Sequence, residues 1–271
     1  INFLYLVFTI FESLKLNMIE LFIDHHLVIL LFFIVSILYS SVGFGGGSSY
    51  LAILALTGIV FTQIRATALL CNIIVVTSNV YLFIKRKEID WKKTIPLVLI
   101  SIPLAFLGGK LKVSQHLFFI LLGFTLVFAA ITMWISKKII STDEHQTKTN
   151  STKNVAFGGF IGFISGMVGI GGGIFLAPLL HLTNWDTPKK IAATASLFIL
   201  VNSIAGLVGQ YSNPDFSIEW NLTSILLITV LIGGQIGIRI SNNCFTPIQL
   251  KKATAILIAF VGIRILMKYF F

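Results

Sequence analysis

The sequence predicts an all-α integral membrane protein made of two inverted repeats of about four apolar segments each, the first segment of each repeat broken at a glycine-rich string. Three observations predict it. The chain is 56% apolar and 11% charged, with a mean hydropathy of +0.95, against about 25% charged residues in a soluble domain. Its uncharged runs reach the roughly 20 residues that cross a bilayer. The string Gly43-Phe44-Gly45-Gly46-Gly47 returns as Gly169-Ile170-Gly171-Gly172-Gly173, 126 residues later in a 271-residue chain.

Residues 1–26 are read as an amino-terminal extension or interfacial segment. Ile1 to Phe11 is apolar but too short to span, and no basic region precedes it as in a signal peptide. The first repeat, 27–136, opens with 35 uncharged residues from Leu27 to Phe61 that contain the first string. Ala66 to Ile84 is a clean span, Thr94 to Gly109 carries Pro96 and Pro103 as expected kinks, and Leu117 to Ile135 follows. A polar linker, 137–154, separates the halves. The second repeat, 155–271, runs through Val155–Leu182 with the second string, then Ile191–Tyr211, Leu222–Ile240 and Ala253–Leu266. Trp91, Trp134, Trp185 and Trp220 all fall at span ends, where an aromatic belt places them. The internal match extends to Ala66-Thr67-Ala68 with Ala193-Thr194-Ala195 and Gly108-Gly109 with Gly233-Gly234, and Thr77-Ser78 lies close to where Asn202-Ser203 falls.

Loop charge bears on orientation. If each glycine-bearing segment enters and leaves on one side, the cytoplasmic loops hold 14 of the 20 basic residues. If each crosses once, the split is 12 to 8. Positive-inside bias favours the first arrangement, which inverts the halves and puts both termini outside. The net charge of +10 lies in short clusters beside apolar spans, which suits anionic lipid headgroups and not nucleic acid.

Glycine is, after proline, the poorest residue for a plain membrane helix. Irregular backbone at membrane depth is tolerated where it is buried or lines a polar cavity. A glycine break exposes successive N–H groups, and the half-helix after it adds its dipole, so an anion site needs no side-chain cation. The candidate substrate-binding residues are therefore Gly43, Gly45, Gly46, Gly47, Gly169, Gly171, Gly172 and Gly173, with hydroxyls from Ser48, Ser49, Thr67, Thr194 and Ser196. The i, i+4 spacing of Gly43 and Gly47, and of Gly169 and Gly173, also suits close helix packing. Arg65, at a span start, reads first as an interfacial arginine that snorkels to the headgroups and second as an anion attractor. His181 reads as an interfacial histidine.

All ten acidic residues lie in loops or at span ends, so no carboxylate relay is placed inside a span. His25-His26 make a poor metal pair, and Cys71 and Cys244 share no motif. No phosphate-binding loop or H-E-x-x-H occurs. The expectation is a non-enzyme without cofactor or metal, whose partners are the bilayer and a small anionic substrate. A homodimer is left open.

With G-F-G-G-G and G-I-G-G-G-I-F-L-A-P-L-L in view, the chain resembles the sulfite exporter TauE/SafE family of membrane permeases, from about Leu27 to Leu266. Gly169, Gly171, Gly172, Gly173 and Pro178 carry the match best; after the first string Ala52 stands where a proline might follow. The resemblance implies a multi-pass protein of the cytoplasmic membrane that exports sulfite, organosulfonates or related anions. It would work as a secondary transporter by alternating access. An anion channel, or a permease for another small organic anion, is the alternative on the same scaffold.

Overall fold

The computed structural model describes residues 23–135, 151–183, 185–240 and 247–269. Residues 1–22, most of the polar linker and Cys244 lie outside the described residues. Among those described, all regular structure is helical. The first half comprises α1 (His26–Ser41), α2 (Gly47–Ala55), α3 (Phe61–Lys85), α4 (Trp91–Lys110) and α5 (Gln115–Ile135). The second comprises α6 (Ser151–Val168), α7 (Gly173–Leu182), α8 (Pro188–Tyr211), α9 (Trp220–Ile240) and α10 (Pro247–Tyr269). The four apolar segments of each half thus become five helices, because each glycine string divides the first. Among the described residues five helices are long and apolar enough to span a membrane, with α1 and part of α6 as shorter apolar ones. Large apolar side chains such as Tyr81, Phe160 and Phe260 stand exposed around the outside, the pattern of a surface that meets lipid. This is a multi-pass membrane protein.

The spans begin earlier than the charges suggest. α3 includes Arg65 and α4 includes Lys92 and Lys93, while Pro96 and Pro103 both lie within an uninterrupted α4.

The halves pack with exchanged partners. α4 lies against α6, and α1 lies correspondingly against α9; α4 also meets α8, as α9 meets α3. Glycine lets these axes close: a Cβ added at Gly166 would strike the Ala105 carbonyl, and one at Gly237 the Ile37 carbonyl. Contacts also give direction. Along the α3–α8 seam Leu69 faces Gly206, Asn72 bonds Ser203, and Val76 and Val80 cluster with Ile199, so the two run antiparallel. α5 and α10 are antiparallel as well, from Phe119 on Tyr269 to Leu126 at Gly262. α3 and α9 run parallel, tied by Thr67 to Thr223 and Gln235 to Ser78. α4 and α6 are parallel too.

α2 and α7 are 9 and 10 residues long, about 14–15 Å at 1.5 Å per residue, half of what a bilayer needs. α2 returns along α1: Tyr50 stacks on Phe32 at 4.6 Å and Ser49 bonds Tyr39 at 2.9 Å. The start of α7 likewise lies against α6, a Cβ on Gly172 falling 3.1 Å from Ser165 and 3.2 Å from Ile161, so each string is the bend of a hairpin that turns back inside the protein.

Where the α3–α4 loop meets the α7–α8 loop, an ion cluster joins the halves. Lys93 Nζ donates to Asp186 Oδ2 at 2.8 Å and to the Trp185 carbonyl at 3.2 Å, and lies 5.4 Å from the Trp185 ring centre. Lys190 Nζ stands 3.5 Å from Asp186 Oδ1. Trp185 is at a span end as expected, but buried beneath this lysine. Partial burial pushes the Asp186 carboxyl up, yet the Lys93 hydrogen bond, the Thr187 N–H and the charges of Lys93 and Lys190 outweigh it and hold it below its ordinary value. A depressed carboxyl adds stability that is complete above the unfolded value, about 3.9, and fades as pH falls through the lower folded value. Asp186→Asn should therefore melt below the parent at pH 7, with the gap closing on acidification; thermal unfolding in detergent between pH 7 and pH 3 checks this.

Candidate functional site

The two strings meet at Asn72, which is 1% exposed in the middle of α3. Its Oδ1 accepts from the Gly47 N–H at 3.2 Å, while its Nδ2 donates to the Ile170 carbonyl at 3.1 Å and to Ser203 Oγ at 3.2 Å. One amide thus holds the first string, the second string and α8. A Cβ built at Gly47 would sit 2.6 Å from the Ile170 carbonyl oxygen. No side chain larger than hydrogen fits between the strings at that point.

Further polar side chains secure the bends. Ser196 Oγ donates to the Gly43 carbonyl. Asn79 Nδ2 donates to the Phe44 carbonyl at 3.3 Å, and its Oδ1 accepts from Ser40 Oγ at 3.2 Å. At the first turns of α2 and α7 the chain takes a left-handed conformation that suits glycine, with φ of 88° at Gly46 and 81° at Gly172. The N–H groups just after them have no acceptor within their own helix, and the Gly47 N–H is the one Asn72 takes.

All eight glycines proposed from the sequence lie at these two bends, all buried. Ser48 and Ser49 lie on the first turn of α2, their hydroxyls 3.5 and 2.9 Å from the Tyr39 hydroxyl. Ser196 reaches the first string from the opposite half. Thr67 and Thr194 point elsewhere: Thr67 pairs with Thr223 at 2.9 Å and Thr194 with Thr94 at 3.0 Å. These are matching fasteners between α3 and α9 and between α8 and α4.

The repeat register also shifts by a residue or two from the sequence match at its loosest point. A Cβ at Gly45 meets Asn72 and Val76, and one at Gly171 meets Ile199 and Ser203. By this contact pattern Ser203 corresponds to Val76 and not to Ser78, and the counterpart of Asn72 is the apolar Ile199. The two half-sites are unequal, and the first supplies the amide that serves both.

Arg65 does not snorkel. It is 4% exposed, its Nη2 donates to the Gly166 carbonyl at 3.3 Å, and its guanidinium carbon lies 5.9 Å from the Phe118 ring centre. Burial follows from packing, because its Cβ lies 3.3 Å from where a Cβ would stand on Gly169. His181 is half-buried on α7. Among the described residues no group of three or more His, Cys, Asp or Glu is placed to hold a metal.

Residues 28–265 match the family described as sulfite exporter TauE/SafE. This chain belongs to the TauE/SafE family. It is 32% identical to the "probable membrane transporter protein y4hK" of Sinorhizobium fredii, covering 87% of this chain and 95% of that protein. It is 27% identical to the "probable membrane transporter protein MJ0441" of Methanocaldococcus jannaschii, over 89% of this chain and 95% of the other. It is 25% identical to "probable membrane transporter protein YunE" of Bacillus subtilis, over 71% and 77%. No solved structure matches. In this TauE/SafE chain, the paired glycine bends that carry the family resemblance are also where the two halves touch. Asn72, absent from the sequence-based candidates, is the residue that joins them.

Proposed function

We propose that this TauE/SafE membrane transporter is a secondary carrier, not an enzyme, and that it exports a small sulfur-containing oxyanion such as sulfite or an organosulfonate. The halves act as inverted repeats that rock about the contact of the glycine bends, giving alternating access. The observation that carries this reading is the meeting of the two bends at Asn72, deep in the protein. Two short helices begin there with orphan N–H groups and dipoles suited to negative charge. The antiparallel seams of α3 with α8 and of α5 with α10 support the inversion. So does loop charge: once both bends turn back, the loops that collect 14 of 20 basic residues share one side, the cytoplasmic one.

The test is sulfite uptake and exchange in proteoliposomes, with sulfate, sulfoacetate and taurine as competitors. Saturable exchange inhibited by a subset of them supports the carrier. Ohmic, unsaturable current would mark a channel instead, and no flux of any of these anions would remove the anion reading. Gly46→Leu and Gly172→Leu should abolish flux while the protein still inserts. Both positions have positive φ, and a Cβ at Gly172 would meet the Phe198 ring at 2.8 Å. Normal flux in both variants would count against the bends as the site.

A further inference from the structure

We infer that Arg65 is the charge-selecting group of the transport path, holding an oxyanion through its free Nε beside the second glycine bend, with the Ser165 hydroxyl as a second donor. The inference rests on the carrier reading above and names the group that recognises the substrate's charge.

A buried guanidinium has five N–H donors and needs a counter-charge or full hydrogen bonding. Arg65 has neither. Among the described residues none of the ion pairs involves it, its Nη2 spends one bond on Gly166, and its Nε is buried without a partner. A Phe118 ring supplies only a weak cation–π contact. Ser165, one residue before Gly166, is fully buried and its Oγ also lacks a partner. Its Cβ lies 3.1 Å from where a Cβ would stand on Gly172, the residue just before α7, so Ser165 packs against the start of that half-helix. Arg65 packs on Gly169 and Ser165 on Gly172, so both side chains with an unpartnered polar atom belong to the second bend. A sulfite or sulfonate group brings what they lack: negative charge and several acceptor oxygens in an arrangement a guanidinium fork can grip.

The placement is one-sided. Under the repeat match of Ala66 with Ala193 the counterpart of Arg65 is Ala192, so the first bend has no such cation. It offers hydroxyls alone: those of Tyr39, Ser48 and Ser49 are engaged with one another, and Tyr50, packed beside Gly46, keeps a buried hydroxyl without a partner. The anion's charge is read on the side where α3 begins, the face opposite the basic loops.

Sulfite flux in proteoliposomes, measured for wild type, Arg65→Lys, Arg65→Gln and Ser165→Ala, tests this together with the rise in Tm that sulfite produces in each purified protein. Arg65→Lys guards against misfolding, because it keeps the positive charge and reach towards Gly166 but has no atom equivalent to Nε. It should raise the KM for sulfite several-fold with kcat largely kept, and shrink the sulfite-induced Tm rise. Arg65→Gln should raise KM roughly tenfold or more, the scale of one lost charge-assisted contact, and Ser165→Ala a few-fold. A purely structural arginine predicts lower Tm in all conditions but an unchanged KM and an unchanged sulfite response in Arg65→Lys. That result overturns the inference while leaving the carrier reading intact. Absence of wild-type flux of sulfite, sulfate, sulfoacetate and taurine alike removes both.

Discussion

Asn72→Leu should abolish transport and lower stability by about 2–6 kcal/mol. The estimate comes from the groups it strands: the Gly47 N–H and the Ile170 carbonyl both bond this side chain, and a buried group left without its partner costs about 1–3 kcal/mol. Ser203 is left out of the sum because its hydroxyl can turn to its own helix. Leucine branches as asparagine does but is bulkier, so some overpacking adds to the loss, and a control that carries the same exchange isolates the hydrogen bonds. Asn79→Leu is the control. It strands the Phe44 carbonyl, while Ser40 Oγ keeps its 2.8 Å bond to the Gly234 carbonyl. Asn79 bridges no string to the other, so this variant should lose about 1–3 kcal/mol and keep some flux. Thermal unfolding in detergent and proteoliposome flux, run on both variants, decide the matter. Wild-type flux in Asn72→Leu would mean that the junction of the bends is not where transport turns.

The membrane class, the helical fold and the two breaks were legible in the sequence because each rests on a local property: hydropathy, or a residue without a β-carbon. Boundaries were less legible wherever a charge entered a helix. By local pattern Arg65 reads as the edge of a span, yet α3 starts at Phe61, because burial of a guanidinium depends on neighbours from α5 and α6 that no local pattern reveals. Thr67 and Thr194 show the same limit. They share an Ala-Thr-Ala setting, but their partners, Thr223 and Thr94, sit on helices that cross to the opposite half. Asn72 had a signal that could have found it. An amide inside an uncharged membrane run is costly unless it is bonded, so asparagine there asks what it bonds. What it bonds, the Gly47 N–H and the Ile170 carbonyl, depends on tertiary contact alone.

Gly47→Ala against Gly234→Ala separates glycine as a packing device from glycine as the contact of the two bends. Both residues lie in helices with ordinary negative φ, so backbone strain does not distinguish them, and alanine is favoured intrinsically by about 1 kcal/mol in a helix interior. The surroundings differ. At Gly234 the new methyl would stand 3.6–3.7 Å from the Val75 methyls, ordinary contact, so Tm should hold or rise and flux should remain. At Gly47 it would stand 2.6 Å from the Ile170 carbonyl oxygen and 2.7 Å from Asn72 Nδ2. The oxygen belongs to the backbone of the opposite bend and cannot rotate away. The methyl must therefore push the bends apart, at the 1–3 kcal/mol or more that overpacking costs, and take the Asn72 bonds with it. Gly173→Ala should fall between them, because its methyl meets the Ile199 side chain, which can turn. An order of flux running Gly234→Ala, Gly173→Ala, Gly47→Ala places the demand for glycine at the point where one half touches the other. Equal losses at Gly47 and Gly234 would instead make close helix packing the whole reason for these residues.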